Sequence, residues 1–221
     1  MKTDKLFLTV LTIGTFVSNG PAHGAYRDPV GEFGVTGYLF TPSAYIQQKR
    51  SVTPSFSFNR HYKSLGLNTV ILPGLETAIR YNIENNEDKD FLLKYQFLPE
   101  TDRYPAIAFG GSVSEDALSH GFYISISKYF ETFIPQTFTV GYGSGIYNGF
   151  FTGAELLFHP KFTILIEYAN FREKTLKTYM EKPDSDINVG IKIMPFKNLQ
   201  ITGYYLTGNT AGGNISYTFK F

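Results

Sequence analysis

From Ser51 onward, apolar residues recur at every second position, in runs of roughly seven to ten residues separated by turn residues. In "GLETAIRYN", Leu75, Thr77, Ile79 and Tyr81 fall on one face and Glu76, Ala78, Arg80 and Asn82 on the other. In "KDFLLKYQF", Phe91, Leu93, Tyr95 and Phe97 oppose Asp90, Leu92, Lys94 and Gln96. Successive side chains of a strand point to opposite faces, so this period predicts strands. Twelve are expected, at 51–59, 65–71, 74–82, 89–97, 105–113, 121–130, 136–143, 150–158, 161–170, 186–193, 199–206 and 213–221. The weakest are 65–71, which is short, and "FFTGAELLF", which alternates poorly.

A β-sandwich also alternates apolar with polar residues. The connections favour a different solution. Counted from the first strand, every even connection holds proline, at Pro73, Pro99 with Pro105, Pro135, Pro160 and Pro195. Among the odd ones only the segment 171–185 does, at Pro183. In an up-and-down meander all even connections share one end, so the two ends differ chemically, as the periplasmic turns and extracellular loops of an outer-membrane barrel do. The chain finishes on "GNISYTFKF". A final strand that pairs with the first leaves no free edge, and its aromatics then face lipid. The fold expected is all-β, a transmembrane up-and-down antiparallel β-barrel of about twelve strands. Its contacts are outer-membrane lipids and, by analogy, the barrel assembly machinery that reads a terminal strand ending in Phe221. Tyr38, Tyr123, Tyr129, Tyr142, Tyr168, Tyr204 and Tyr205 lie near strand ends and are candidates for interfacial girdles. Lys128 sits on a lipid-facing position near a strand end, where its stem can snorkel.

The same alternation puts Glu76, Arg80, Asp90, Lys94, Glu155, Glu167, Lys192 and Lys220 on the inward face. Four acids against four bases suggest a charge-paired lumen in place of a strongly ion-selective one. They are either a polar path for a hydrophilic substrate or ion pairs filling a narrow interior, and the second reading is favoured.

Before the strands, "MKTDKLFLTVLTIGTFVSNGPAHG" has Lys2 and Lys5, an apolar stretch from Leu6 to Val17, then small residues. This is the form of a cleaved signal peptide, residues 1–24, for export to the Gram-negative outer membrane. Residues 25–50 then form an N-terminal segment and 51–221 the barrel. The segment "GEFGVTGYLFTPSAYIQQKR" is too structured in composition for a bare linker, and three fates are open to it: a periplasmic extension, an extra strand, or a piece folded into the lumen.

Composition narrows the chemistry. The 221 residues hold 21 Phe, 16 Tyr and 21 Gly, a balance that suits strands and turns. There is no cysteine, which excludes a disulfide framework and thiolate metal ligands. A formal charge of +1 leaves no electrostatic footprint for nucleic acid. Of the four histidines, His23 falls in the signal peptide, His61 and His120 sit at strand ends, and His159 lies in a turn. Ser119 beside His120 is only a sequence neighbour, so no nucleophile, base and orienting group come together, and an enzyme is not expected. No histidine spacing suits a metal, "ENNEDKD" reads as a solvated loop, and no cofactor is expected.

"GVTGYLFTPSA", then "LKYQFLPETDRYPAIAFG", "GAELLFHPKFTILIEYAN", and "INVGIKIMP" with "YYLTGNTAGGNISYTF", occur in that order through about 33–219. This ordered set resembles the YjbH-type exopolysaccharide-biosynthesis proteins. The resemblance implies an outer-membrane barrel that takes part in exopolysaccharide or capsule biosynthesis or export, with polysaccharide and other export-pathway proteins as partners. It also marks Gly34, Gly37, Thr41, Pro42 and Ser43 as the N-terminal motif. The chain is short beside the larger members and matches a single unit of them. The rival functions are a passive porin for small solutes and a structural or adhesive surface barrel that binds through 171–185.

Overall fold

Hydrocarbon offers no hydrogen bonds, so a sheet that lies in it must close on itself. The structure, a computed structural model, describes residues 30–60, 62–83, 89–114, 120–171, 187–206 and 210–221. It shows that closure. The strands are β1 (Ser51–Asn59), β2 (Lys63–Val70), β3 (Leu75–Asn82), β4 (Lys89–Leu98), β5 (Ala106–Ser114), β6 (Gly121–Phe130), β7 (Gln136–Ser144), β8 (Tyr147–His159), β9 (Phe162–Phe171), β10 (Ile187–Phe196), β11 (Leu199–Leu206) and β12 (Thr210–Tyr217), with the two-residue β13 (Phe219–Lys220) continuing the last one past Thr218. Each pairs antiparallel with its sequence neighbour, and β12 returns to β1 with Ser55 opposite Ser216 and Asn59 opposite Gly212. β13 extends that seam, Ser51 opposite Lys220 and Val52 opposite Phe219, and Phe221 N donates to Arg50 O at 3.0 Å. The final strand therefore has no free edge, and an exposed Phe221 needs no polar cover.

The alternation sorts the two solvents as expected. On β10, Ile187, Val189, Ile191 and Ile193 are exposed while Asn188 and Lys192 are buried. The same holds round the barrel, from Leu65 and Leu67 on β2 to Ile215 and Tyr217 on β12. The interior face of β1 is Ser51, Thr53, Ser55, Ser57 and Asn59, all buried. No described helix is long and apolar enough to cross a membrane.

Several boundaries move. β8 begins at Tyr147, three residues earlier than the sequence pattern suggests, because the β7–β8 connection is only Gly145 and Ile146, with Gly145 at φ 81°. A β-carbon at Gly145 would strike the His120 carbonyl, so the tight turn requires glycine. β12 begins at Thr210, so the "TAGG" of "TGNTAGG" is strand and not loop. Pro195 lies inside β10, so the last short turn, 197–198, holds no proline. The segments 1–29 and 172–186, and with them the expected signal peptide and the long connection, lie outside the described residues, as do His61, Ser119 and 84–88.

The tyrosine girdle needs correction. Tyr142, Tyr168 and Tyr205 are exposed on the outer face, but Tyr38, Tyr123 and Tyr204 are buried inside. Lumen-facing positions that carry aromatic rings mark an interior that holds something apolar. That object is the chain's own N-terminal segment: residues 30–46 are all buried within the barrel.

The outer face makes a direct prediction. Ile191→Arg, at mid-strand on the lipid side, is expected to destabilise the barrel by about 2–4 kcal/mol, read by urea unfolding in lipid vesicles. An unchanged midpoint would mean that this face does not meet hydrocarbon.

Candidate functional site

A chain segment inside a closed sheet cannot add to the ladder, so its backbone groups must find partners locally or on the wall. Residues 30–46 do both. Val30 pairs with Thr36 and Gly37 with Pro42 as isolated antiparallel bridges. Gly31 N donates to Val35 O at 2.9 Å, Glu32 N to Leu39 O at 2.6 Å, Tyr38 N to Thr41 O at 2.9 Å and Ser43 N to Thr36 O at 3.2 Å. The result is a folded knot of two small loops. Gly34 has φ 85°, and a β-carbon at Gly37 would collide with the Thr41 carbonyl oxygen, so these two motif glycines are there for the turns.

Two wall carboxylates complete the satisfaction. Glu76 of β3 accepts from Thr36 N and Thr36 Oγ1, both at 2.7 Å, and from Asn68 Nδ2 at 2.5 Å. Its other oxygen lies 3.2 Å from Lys94 Nζ, and Lys94 in turn donates to Thr36 O at 2.6 Å. Thr36 is therefore held at both its N–H and its carbonyl. Glu167 of β9 faces three successive amides: Leu39 N at 3.2 Å, Phe40 N at 2.9 Å and Thr41 N at 3.0 Å, with Thr41 Oγ1 at 2.9 Å. Asn188 Nδ2 supplies a further bond at 3.0 Å. Consecutive N–H groups turned toward one point form a nest for an anion, and here a glutamate of the wall occupies it.

Apolar packing fills the remaining space. Phe33, Val35, Tyr38, Leu39 and Phe40 meet Leu92, Tyr123, Tyr147, Phe151, Leu165, Tyr204 and Leu206 of the wall in one buried cluster. Phe33 stands edge-on to Phe40 with centroids 5.4 Å apart, and Phe40 edge-on to Tyr204 at 5.8 Å. Wall glycines make room: a β-carbon at Gly153 would lie 2.5 Å from the Tyr38 ring and one at Gly190 2.8 Å from Leu39. The Tyr38 hydroxyl reaches Thr139 Oγ1 at 2.8 Å. Toward the short proline turns, Ala44 N donates to Ser127 Oγ at 2.8 Å and Tyr45 OH to Glu100 Oε2 at 2.5 Å.

The eight charges assigned to the inward face divide into clear groups. Glu76 with Lys94 and Arg80 with Asp90 are register partners across β3 and β4, and both pairs are buried. Arg80 Nε donates to Asp90 Oδ2 at 2.7 Å, its Nη1 to Glu32 O at 3.2 Å, and its guanidinium lies 5.1 Å from the centre of the Phe33 ring. Glu155 and Lys192 form a buried ion pair across β9. Glu167 takes the nest. Lys220 differs: it stands opposite Ser51 on the inner side but at the rim, where it is exposed, because β13 runs past the end of the enclosed lumen. Of the motif residues, Gly34, Gly37, Thr41 and Ser43 lie in the knot, and Pro42 closes its second loop.

The sequence pattern gave no hint of several partners. Glu32 is buried and receives the Tyr62 hydroxyl. Burial, reinforced by the Glu32 charge, raises the Tyr62 phenol well above its ordinary value, so it remains a donor. Glu100 links three pieces at the short-turn end: Tyr45, Tyr129 N at 2.9 Å and Lys128 Nζ at 3.1 Å. Lys128 thus lies at the rim on the outer face, as expected. His120 Nε2 contacts Ser114 O, and His159, which is the last residue of β8 and not in the turn as expected, accepts at Nδ1 from Lys161 N. Among the described residues no three metal-ligating side chains converge.

The YjbH family model, exopolysaccharide biosynthesis protein YbjH, matches residues 30–149, which is more than half of the chain and takes in the knot and the first seven strands. The chain belongs to the YjbH family. No curated protein matches it. Among solved structures it is similar to the KdgM porin, with a TM-score of 0.53 and 11% identity over 77% of this chain and 99% of that one. The KdgM porin in complex with disordered oligogalacturonate gives 0.53 and 10% over the same shares. The NanC porin gives 0.48 and 12%, again over 77% and 99%. At such identities the likeness concerns the barrel fold alone.

In this YjbH-family barrel, then, a filled lumen is fastened mainly to β3 and β9. Replacing Glu76 by Leu strands Lys94 in a dry site and is expected to cost about 3–5 kcal/mol. The double change Glu76→Leu/Lys94→Met should recover part of that loss but not all, because Thr36 N then lacks its acceptor and Thr36 O keeps only Ser43 N. Equilibrium unfolding of the three variants in detergent checks this, and a double variant as unstable as the single one would refute the pairing argument.

Proposed function

We propose that this protein is a non-catalytic outer-membrane barrel of exopolysaccharide biosynthesis or export whose lumen is shut in the resting state by residues 30–46. Membership of the YjbH family supports the process, and the apolar outer face of a closed barrel supports the membrane location. The observation that carries the closed state is the attachment of the knot at Thr36 and at Leu39–Thr41 to Glu76 and Glu167. A passive porin needs a standing aqueous path, and a buried segment held by charge-assisted bonds at two places opposes one. The motif residues Gly34, Gly37, Thr41, Pro42 and Ser43 serve in this reading to shape the stopper. The charges of β3, β4, β8, β9 and β10 seat it, so they act on passage indirectly. Export through a cleaved signal peptide and insertion by way of the Phe221 strand belong to the same reading.

The test is electrical and genetic. In planar bilayers the wild-type barrel is expected to be nearly silent at low voltage, while Glu167→Ala, which removes the acceptor of three backbone amides, should show frequent openings. Deletion of the gene should reduce surface polysaccharide without changing uptake of small solutes. A steady ohmic conductance from the wild-type protein, with normal surface polymer on deletion, would instead identify a passive channel.

A further inference from the structure

Among the described residues the buried charges of the lumen wall sit in two sectors, β3–β4 and β8–β10; of the two uncharged sectors between them, β5–β7 bonds the knot through Ser127 and Thr139, and the other is the seam. Across the seam that closes the barrel, on β11, β12, β1 and β2, the buried lumen side chains are uncharged, and most are hydroxyls and amides. The register stacks these groups in rows. Thr202 stands opposite Asn214, and Asn214 opposite Ser57. One step toward the short-turn end, Gln200 stands opposite Ser216, and Ser216 opposite Ser55. Gly66 lies beyond Ser55, and a β-carbon there would run into the Ser55 hydroxyl, so β2 leaves that row open.

These rows have hydrogen-bonding capacity left over. Asn214 Nδ2 donates to Ser57 Oγ at 2.8 Å, but Asn214 Oδ1, Thr202 Oγ1 and Gln200 Nε2 are buried without a partner among the described residues. The three supply an acceptor, a hydroxyl that serves either way, and a donor. Leaving such groups unpaired in a dry site is costly, which makes them receptive to a ligand with matching groups. The hydroxyls of a sugar both donate and accept. An anionic polymer would find no buried cation on this wall, only Lys220 at its rim, whereas a neutral one meets successive similar, weak sites, the condition for movement along a lining.

We propose that β11, β12, β1 and β2 form the glycan-facing wall of the lumen, along which an uncharged polysaccharide strand lies when the knot yields on that side. This rests on the role in polysaccharide secretion proposed above and specifies the class of polymer and its path.

The chain has no cysteine, so single cysteines report on one place each. Ser55→Cys and Ser216→Cys place a thiol on the seam wall, and Ser125→Cys places one on β6, on the opposite wall. Each is made in the wild-type barrel and in Glu167→Ala, and its labelling rate by a small charged thiol reagent is measured in proteoliposomes with maltoheptaose or hepta-galacturonate present. Maltoheptaose is expected to slow labelling at 55 and 216 about fivefold or more in at least one background, with little effect at 125 and little effect of the galacturonate. Equal protection on both walls, stronger protection by the galacturonate, no protection, or no labelling at 55 and 216 in either background would overturn the proposal. None of those results touches the closed-barrel reading, which conductance and loss of surface polymer decide separately.

Discussion

The constraint on which everything else depends is that this sheet's outer face lies in hydrocarbon. It forces each strand to surrender alternate positions to Ile, Val, Leu and Phe, and it forces β12 back onto β1, since an open edge in lipid would leave a row of unpaired amides. The polar residues of each strand's other face are thereby turned inward, with Lys128 left outside at the rim. Twelve strands enclose more space than wall side chains as small as Ser, Thr, Ala and Gly can fill. The knot at 30–46 answers that space, and its bare amides in turn call for acceptors on the wall. Glu76 and Glu167 are therefore consequences, two steps removed, of the solvent outside.

The compensation of charge inside follows two routes. Glu76, Asp90 and Glu155 each face a cation on the barrel wall, Lys94, Arg80 and Lys192. Such pairs are weak sources of stability once desolvation is counted, but breaking one leaves a buried charge exposed to its full cost. Glu167 is balanced instead by the dipoles of Leu39, Phe40 and Thr41. The distinction matters mechanically. A wall-to-wall pair persists whatever the knot does, whereas Glu167 loses its compensation when residues 39–41 leave, so the energy that holds the knot is concentrated at one carboxylate and at Thr36.

The strand count, the lipid-facing positions and the inward charges were legible because a period of two survives any uncertainty about tertiary contacts. What the pattern concealed was the fate of residues 30–46, since a short folded knot has no period of its own. A clue did exist. Leu92, Phe151, Leu165, Tyr204 and Leu206 break the alternation by placing apolar groups at lumen positions, and "FFTGAELLF" reads poorly for that reason: Phe151 points inward to Tyr147 and Tyr123. An aqueous channel would not line itself so. The partners Glu32, Tyr62 and Asn188 were illegible, because each acts through a contact remote in sequence that no spacing rule encodes.

The position of the anchors bears on how such a stopper can work. The carboxylate bonds to the knot's backbone come from β3 and β9, and further bonds come from Lys94 of β4 to Thr36 O, Ser127 of β6 to Ala44 N, Tyr147 of β8 to Phe40 O and Asn68 of β2 to Gly34 O at 2.9 Å. Strands β3 and β9 lie far apart round the barrel, so they grip the knot at two points across its body, and the shift needed to open a path is smallest where neither strand holds it. The β11–β12–β1 seam is such a place on the short-turn side, where small hydroxyl side chains, with Gly66 of β2 beside Ser55, set the wall back. A stopper pinned at two places can lean away from a third without coming out. The barrel then keeps the polar groups of the knot satisfied through the movement, which full expulsion into water would also do, but only by exposing the cluster around Phe33 and Phe40.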